Sequence, residues 1–313
     1  MSKHLFGIVL THQGTYANNR GESEGNATTL QKVLRNGDMY TTVSAESIRY
    51  AIREGWQTAA CPLNRISPNH RTCQFSDKEF SKWQDHIDDD ILGFMHARKE
   101  TLSRRGLLEI TRAISTTPWR GEIMHNFAGP GSNPAVSNND PIPYAVEVHD
   151  TRYQFGFAMT PGMLGREGYS AEDSLTFDEK KKRLRWAIEG IVNLRRVGGN
   201  HARYLSDFSP EVIVLRWTDD PVPRFLYGFE QDENGQISLQ PLAAKIKGGD
   251  IDPAEIIIGT ALSIPEISQT VSANPPGGAG SFISLVKEGV KIETGVKRAA
   301  QAFLDLVSES DFS

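Results

Sequence analysis

The sequence predicts an α+β fold of the ferredoxin-like kind also used by RNA-recognition modules, with strand, helix, strand, strand, helix and strand in that order. Three observations carry the expectation: an apolar first strand, two helices whose ends are written in their capping residues, and one strand with clean aromatic alternation.

Residues 4–11, HLFGIVLT, are apolar on both faces and β-rich, as a central strand should be, and Gly14 then opens a polar loop. In that loop Asn18, Asn19, Gly21, Gly25 and Asn26 tolerate positive φ, so the backbone can turn tightly and present N–H groups to an anion. Arg20, Lys32 and Arg35 add positive charge, while Glu22, Glu24, Asp38, Glu46 and Glu54 balance it, so an ordinary solvated loop is the alternative. The first helix has Ser44 as N-cap, Val43 and Ile48 as a hydrophobic staple, and Gly55 beyond its last turn. Ile48, Ala51 and Ile52 form its buried stripe, with Arg49 and Arg53 one turn apart beside it.

Residues 56–105 read as a helical insertion: Pro62 and Pro68 break its first part, and 75–100 then has helical spacing with a charged face. Residues 107–115 form a second strand. The segment 118–144 lacks regular periodicity and exceeds the ~12–15 residues of ordinary loops, which suggests a projecting arm. In 152–159 Tyr153, Phe155, Phe157 and Met159 share one face; such a face can stack bases, but two helices must cover one side of this sheet, which favours core. Thr176 and Glu179 have capping-box spacing, and Leu184, Ala187, Ile188, Ile191 and Leu194 mark a second helix that stops at Gly198 and Gly199. Strands are expected at 211–217 and 224–229. A Gly/Pro-rich stretch at 275–281 precedes a last helix with Val296, Ala299, Ala300, Phe303 and Leu304 on one face.

The 313 residues suffice for one large domain or two modest ones, and no apolar run approaches the ~20 residues that span a bilayer. Two cysteines give no disulfide framework, which suits a reducing, cytoplasmic setting. A net charge of −5 argues against indiscriminate nucleic-acid binding, but between residues 180 and 203 eight Lys/Arg face a single acid, Glu189. Arg195 and Arg196, followed by Gly198, Gly199, Asn200, His201 and Arg203, combine flexible backbone with phosphate donors. Cys61, His70 and Cys73 do not match a closed zinc pattern. His86, Asp88, Asp89, Asp90 and His96 can be drawn as a metal-nuclease cluster, but consecutive aspartates diverge on a helix, and an exposed acidic helix start is the better reading. With no nucleophile elbow, phosphate-loop lysine or dinucleotide fingerprint, no enzyme, cofactor or metal is expected.

The motifs NNRGE, GNATTLQK, VSAESIRYAIRE, DDDILGFM, TRAISTTPW and NLRRVGGNHARYLSDFSPEVIVLRW, spread over residues 4–229, closely resemble the CRISPR-associated "Cas seven" family of the DevR type. That family supplies the backbone subunit of type I interference complexes, Cascade, and the likeness is strongest to subtype I-B. The resemblance implies a right-hand shape: an RNA-recognition-like palm (1–55, 106–117 and 145–230), a helical insertion (56–105), a thumb (118–144) and a C-terminal extension packed on the palm (231–313). Copies would stack head to tail along CRISPR RNA, present it to a target DNA strand, and be capped by other Cascade subunits, with no membrane involved. Carried over residue by residue, Asn18, Asn19, Arg20, Asn26, Thr28 and Lys32 fall near the RNA backbone. Arg49, Arg53, Asn200, His201 and Arg203 are further contacts, and Met124 or Phe127 would wedge against bases. Two rivals follow from the same likeness: a type III-like subunit cutting RNA with a metal and an aspartate, from Asp88–Asp90 or Asp140, and a DNA-binding regulator.

Overall fold

The computed structural model describes residues 3–17, 23–25, 27–67, 72–97, 101–129, 141–167, 175–198, 205–262 and 279–312. Strand β1 (His4–Thr11) is the centre of the molecule, because a strand apolar on both faces must be covered on both. It is followed by β2 (Gly14–Ala17), β3 (Ser23–Glu24), β4 (Ala27–Thr28) and a hairpin of β5 (Lys32–Arg35) and β6 (Asp38–Val43). Asn36 and Gly37, both at positive φ (52° and 89°), make the two-residue turn of that hairpin, the geometry Asn-Gly favours.

Helix α1 (Ala45–Thr58) starts where expected, with the Ser44 hydroxyl accepting the Ser47 N–H at 3.2 Å. It runs past Gly55 instead of stopping there, because the next turn brings Trp56 into the core, where its Nε1 donates to the Trp186 carbonyl at 2.9 Å.

The insertion departs most from expectation. Short ribbons β7 (Arg65–Ile66) and β8 (Gln74–Phe75), a 3₁₀ turn at Trp83–Asp85, a six-residue α2 (Ile87–Leu92), and a ribbon of β9 (Phe94–His96) and β10 (Leu102–Arg104) replace the expected helix. The helical spacing misleads because the Asp77 carboxylate accepts the N–H groups of Glu79 and Lys82 at 3.0 and 2.8 Å, closing a local turn that competes with a helix. The acidic run is not exposed either: Asp88, Asp89 and Asp90 are at most 1% accessible. Asp88 accepts the backbone N–H groups of Asn64 (2.8 Å) and Arg65 (3.1 Å) and pairs with Arg53 (3.3 Å). Asp89 accepts from Asn64 Nδ2 at 2.7 Å, and Asp90 pairs with Arg104 and, at 2.5 Å, with Arg183.

The second strand is split into β11 (Glu109–Ile110) and β12 (Ala113–Ser115), followed by a hairpin of β13 (Ile123–Ala128) and β14 (Ile142–Thr151), and then β15 (Tyr153–Met159). Helix α3 (Phe177–Val192) carries the expected capping box at Thr176 and Glu179. It ends at Asn193, before the expected glycines. Only part of its charge reaches the surface: Lys180 and Arg183 are buried, and the Lys181 ammonium donates to the Val307 carbonyl at 2.9 Å, while Lys182 and the Arg185 side chain are exposed. Strand β16 (Pro210–Thr218) follows, but 224–229 is no strand. Arg224 and Tyr227 there have positive φ (59° and 54°), and the Gln154 side chain holds the segment in place of a neighbouring strand, donating to the Phe229 carbonyl at 2.9 Å and accepting its N–H at 3.1 Å.

The tail adds β17 (Glu230–Gln231), β18 (Ile237–Ser238), α4 (Gln240–Lys247), β19 (Ile256–Thr260), α5 (Ala279–Lys287), β20 (Lys291–Thr294) and α6 (Val296–Leu306). Helix α6 buries Ala299, Ala300, Phe303 and Leu304, the stripe read from the sequence.

Among the described residues the main sheet runs β20-β19-β16-β1-β15-β12-β6-β5, with β11 also on β15. Its four middle strands, β16-β1-β15-β12, are antiparallel neighbours, and α1 and α3 fall in the two sequence positions where helices were expected. Leu5, Val9, Tyr153, Phe155, Phe157, Ile213 and Leu215 face the core shared by α1, α3 and α6, so the aromatic alternation is core. Phe6, Ile8, Leu10, Val212 and Val214 face the other side, covered by α4, α5 and the 225–239 segment. Gly7 lets the facing Phe157 ring lie on it, since a Cβ there would meet the ring at 2.2 Å. Strand β5 is the outer edge, with Leu34 68% exposed. No helix among the described residues is long and apolar enough to cross a membrane.

Removing the Asp90 carboxylate leaves two buried guanidinium groups unpaired, so Asp90→Ala is expected to cost about 3–5 kcal/mol in urea unfolding. Burial, aided by the Asp88 charge, raises the Asp89 carboxyl to about 6. The folded chain then binds the proton more tightly than the unfolded one, so this group's stabilisation, full at about pH 4, is lost as pH rises through about 6. Asp89→Asn keeps an acceptor for Asn64 without titrating. Its stability should therefore gain on the parent by up to about 3 kcal/mol between pH 4 and 7, and a pH-independent difference would refute the assignment.

Candidate nucleic-acid interface

A second sheet gathers the sequence motifs. Strand β14 pairs with β13 from Ile123↔Glu147 to Ala128↔Ile142, with β2 from Val148↔Ala17 to Thr151↔Gly14, and in parallel with β4 at Ala145↔Ala27 and Val146↔Thr28. The polar loop therefore leaves the hairpin at Ala17 and rejoins it at Ala27. Asn18, Asn19, Arg20 and Asn26 lie outside the described residues, but both ends of their segment are fixed to β14. Thr28, half-buried, sits opposite Val146.

The arm expected at 118–144 has its described part in this hairpin, which sequence reading missed although IMHNFA and PYAVEV alternate. Strand alternation puts Ile123, His125, Phe127 and Glu147 on one face and Met124, Tyr144 and Val146 on the other. Met124 and Phe127 thus point to opposite sides. Phe127 is 71% exposed, whereas Met124 is on the side of the small Ala17, Val146 and Val148 cluster.

The hairpin's base is tied to the main sheet by charge and by a buried hydroxyl network. Glu147 accepts the Leu30 N–H at 2.7 Å and pairs with Lys32, whose ammonium also stands 4.1 Å from the Trp119 ring centre. Trp119 Nε1 in turn donates to the Val148 carbonyl at 2.9 Å, and its N–H to the Met39 carbonyl at 2.7 Å. Beneath them the Thr41 hydroxyl bonds His149 Nδ1 at 2.7 Å and the Tyr153 hydroxyl at 2.8 Å, and His149 Nε2 is 3.3 Å from the Thr117 hydroxyl. Burial lowers the His149 pKa and raises that of Tyr153, so both are neutral at physiological pH.

Other expected contacts scatter. Arg49 donates to the Leu92 carbonyl and Arg53 pairs with Asp88, so both charges tie α1 to the insertion. Arg195 and Arg196 are exposed past the end of α3, Arg195 donating to the Thr58 hydroxyl at 2.8 Å. Asn200, His201 and Arg203 lie outside the described residues. The chain resumes beside β2: a Cβ at Gly14 would be 3.5 Å from Ser206, and the Tyr16 hydroxyl donates to the Asp207 carbonyl at 3.1 Å. Both polar segments therefore join the described structure at β2.

Comparison with known proteins bears on this arrangement. Residues 14–234 match the family described as "CRISPR-associated negative auto-regulator DevR/Csa2". A Myxococcus xanthus (strain DK1622) protein described as "CRISPR-associated protein Cas7/Cst2/DevR" is 39% identical over 320 residues, covering 96% of this chain and 97% of that protein. In fold the chain is similar to a subunit of a "CRISPR RNA-guided surveillance complex, pre-nicking" (TM-score 0.61, 11% identity, 96% of this chain and 99% of that one). It is also similar to a subunit of a "CRISPR RNA-guided surveillance complex" (TM-score 0.58, 14% identity, 97% and 99%).

Thr41→Val would strand the His149 and Tyr153 polar groups at the hairpin base. A loss of about 1–3 kcal/mol is expected, with amide exchange quickened in β14 and unchanged in α3; uniform quickening would place the network in the global core instead.

Proposed function

The chain belongs to the CRISPR-associated DevR/Csa2 family, and from that premise we propose that it is the CRISPR RNA-binding backbone subunit of a Cascade-like complex. One observation carries the reading: the hairpin and both ends of the 18–26 segment are joined on one strand, β14, so a donor-rich segment and an exposed aromatic are brought to one place. The middle of the main sheet serves as an RNA-recognition-like palm, 56–105 as the insertion and 118–144 as the thumb. Asn18, Asn19, Arg20, Asn26 and Thr28, with Arg195, Arg196, Asn200, His201 and Arg203, hold the guide by its phosphates. Phe127 is the wedge that parts successive bases, because it is the exposed aromatic on the hairpin. Lys32, Arg49 and Arg53 shape the surface through their partners within the fold.

Sequence reading is left to pairing between the guide and a target DNA strand, and copies follow one another head to tail, so acidic surfaces can meet a neighbour's basic ones. The subunit works by binding rather than by cutting. Asp88, Asp89 and Asp90 are buried and engaged by arginines and Asn64, which argues against a metal-nuclease role for them, and Asp140 lies outside the described residues.

The deciding experiment is purification from cells expressing a CRISPR array, followed by sequencing of the nucleic acid that survives a high-salt wash. Array-derived RNA of defined length is expected; duplex DNA alone would favour the regulator suggested by the family's description. Arg20→Ala should weaken RNA binding equally for all sequences and lower the salt slope by about 0.7. Phe127→Ala should disturb regular packing along RNA in electron micrographs, and Met124→Ala should not.

A further inference from the structure

Between β11 and β12 the register on β15 shifts by one residue, from Ile110↔Phe157 to Ile114↔Gln154. The extra residue makes a β-bulge, a device that re-aims a side chain out of the pleat. It is pinned at Thr111, which donates its N–H to the Gly156 carbonyl at 2.9 Å and accepts the Gly156 N–H on its hydroxyl at 2.8 Å. The residue turned outward is Arg112.

The Arg112 guanidinium reaches the Gln31 side-chain oxygen at 3.0 Å and the Thr42 hydroxyl at 3.2 Å across an open groove beside β5. Among the described residues no carboxylate lines this groove and Arg112 has no ion pair. The arginine is exposed, so its remaining N–H donors face solvent. Beside it the Tyr227 hydroxyl donates to the Arg112 carbonyl at 2.8 Å, and the Arg35 guanidinium lies 5.6 Å from the Tyr227 ring centre. Tyr227 holds this position at a φ of 54°, a conformation a bulky residue adopts only when its surroundings impose it.

We propose that this groove, built by the bulge at Arg112 with Arg35 beside it, holds a phosphodiester of single-stranded RNA. Arg112 supplies a guanidinium pre-oriented by Gln31 and Thr42, the fork geometry that suits phosphate oxygens. Arg35, supported on Tyr227, supplies a second cation. The inference rests on the RNA-binding reading above and adds a contact that neither the 18–28 motif nor the hairpin contains.

The test uses the full chain and labelled oligo-uridine and oligo-adenosine, with fluorescence anisotropy at several salt concentrations. Arg112→Gln should bind both about tenfold more weakly and lower the salt slope by about 0.7, while Arg112→Lys should restore the slope. Arg35→Gln, which removes no side-chain hydrogen bond among the described residues, should give the same signature if Arg112→Gln melts early. An unchanged slope in Arg112→Gln and Arg35→Gln, alongside a parent that binds RNA, overturns the groove alone. A parent that binds neither RNA overturns the RNA-binding reading together with the groove.

Discussion

The Asp90 carboxylate, buried between Arg104 and Arg183, is the interaction on which the rest of the molecule's arrangement depends. The carboxylate stands on α2, and its three partners are Arg104 on β10, the Gly165 N–H and Arg183 on α3, the last two more than seventy residues along the chain. Arg183 also reaches the Gln84 carbonyl, Arg104 the Arg166 carbonyl at 2.6 Å, and the Gly165 N–H binds Asp90 directly. An insertion with so little regular structure has only a small aromatic cluster of its own, Phe75, Phe80, Trp83 and Phe94, so a charge that must be neutralised on three sides sets where it lies. Asp88 does the same toward α1, through Arg53 and the backbone around Asn64.

The second constraint is the covering of the main sheet on both faces. In simple RNA-recognition modules one sheet face is free to stack bases. Here that role is closed: one face meets α1, α3 and α6, and the other meets α4, α5 and the segment fastened by Gln154. What remains open is the edge, where β5, the bulge at Arg112 and the hairpin rising from β14 lie. Of the proposed RNA contacts among the described residues, Thr28 and Phe127 lie on the second sheet and Arg35 and Arg112 at this edge, whereas Arg195 and Arg196 lie past the end of α3, Arg195 reaching α1.

Much of the fold was legible because its signals are local. The Ser44 cap, the Thr176–Glu179 box, the stripes of α1, α3 and α6, and the apolar β1 each declare themselves within one turn or one strand. The misreadings came where tertiary partners override local pattern. Aspartates in sequence look solvated until an arginine some ninety positions away is brought to them, and 224–229 reads as a strand until Gln154 claims its backbone. The β5–β6 hairpin was announced by Asn36-Gly37, a turn signal the loop-and-helix reading passed over. At the candidate site the fold supplies partners that no spacing rule encodes: Lys32 pairs with Glu147, Arg53 with Asp88, and a register shift turns Arg112 out of the pleat.

The outer edge at β5 has a consequence for the protein as a cellular product. An edge strand with an open row of backbone donors and acceptors and an exposed Leu34 is a template for another strand. A partner ordered along this edge would cover that surface, whereas copies without one leave it bare and prone to irregular self-association. Supply of the subunit is therefore coupled by physics to supply of whatever orders it, and a cell that overproduces the chain alone should find it in inclusion bodies sooner than its modest size suggests.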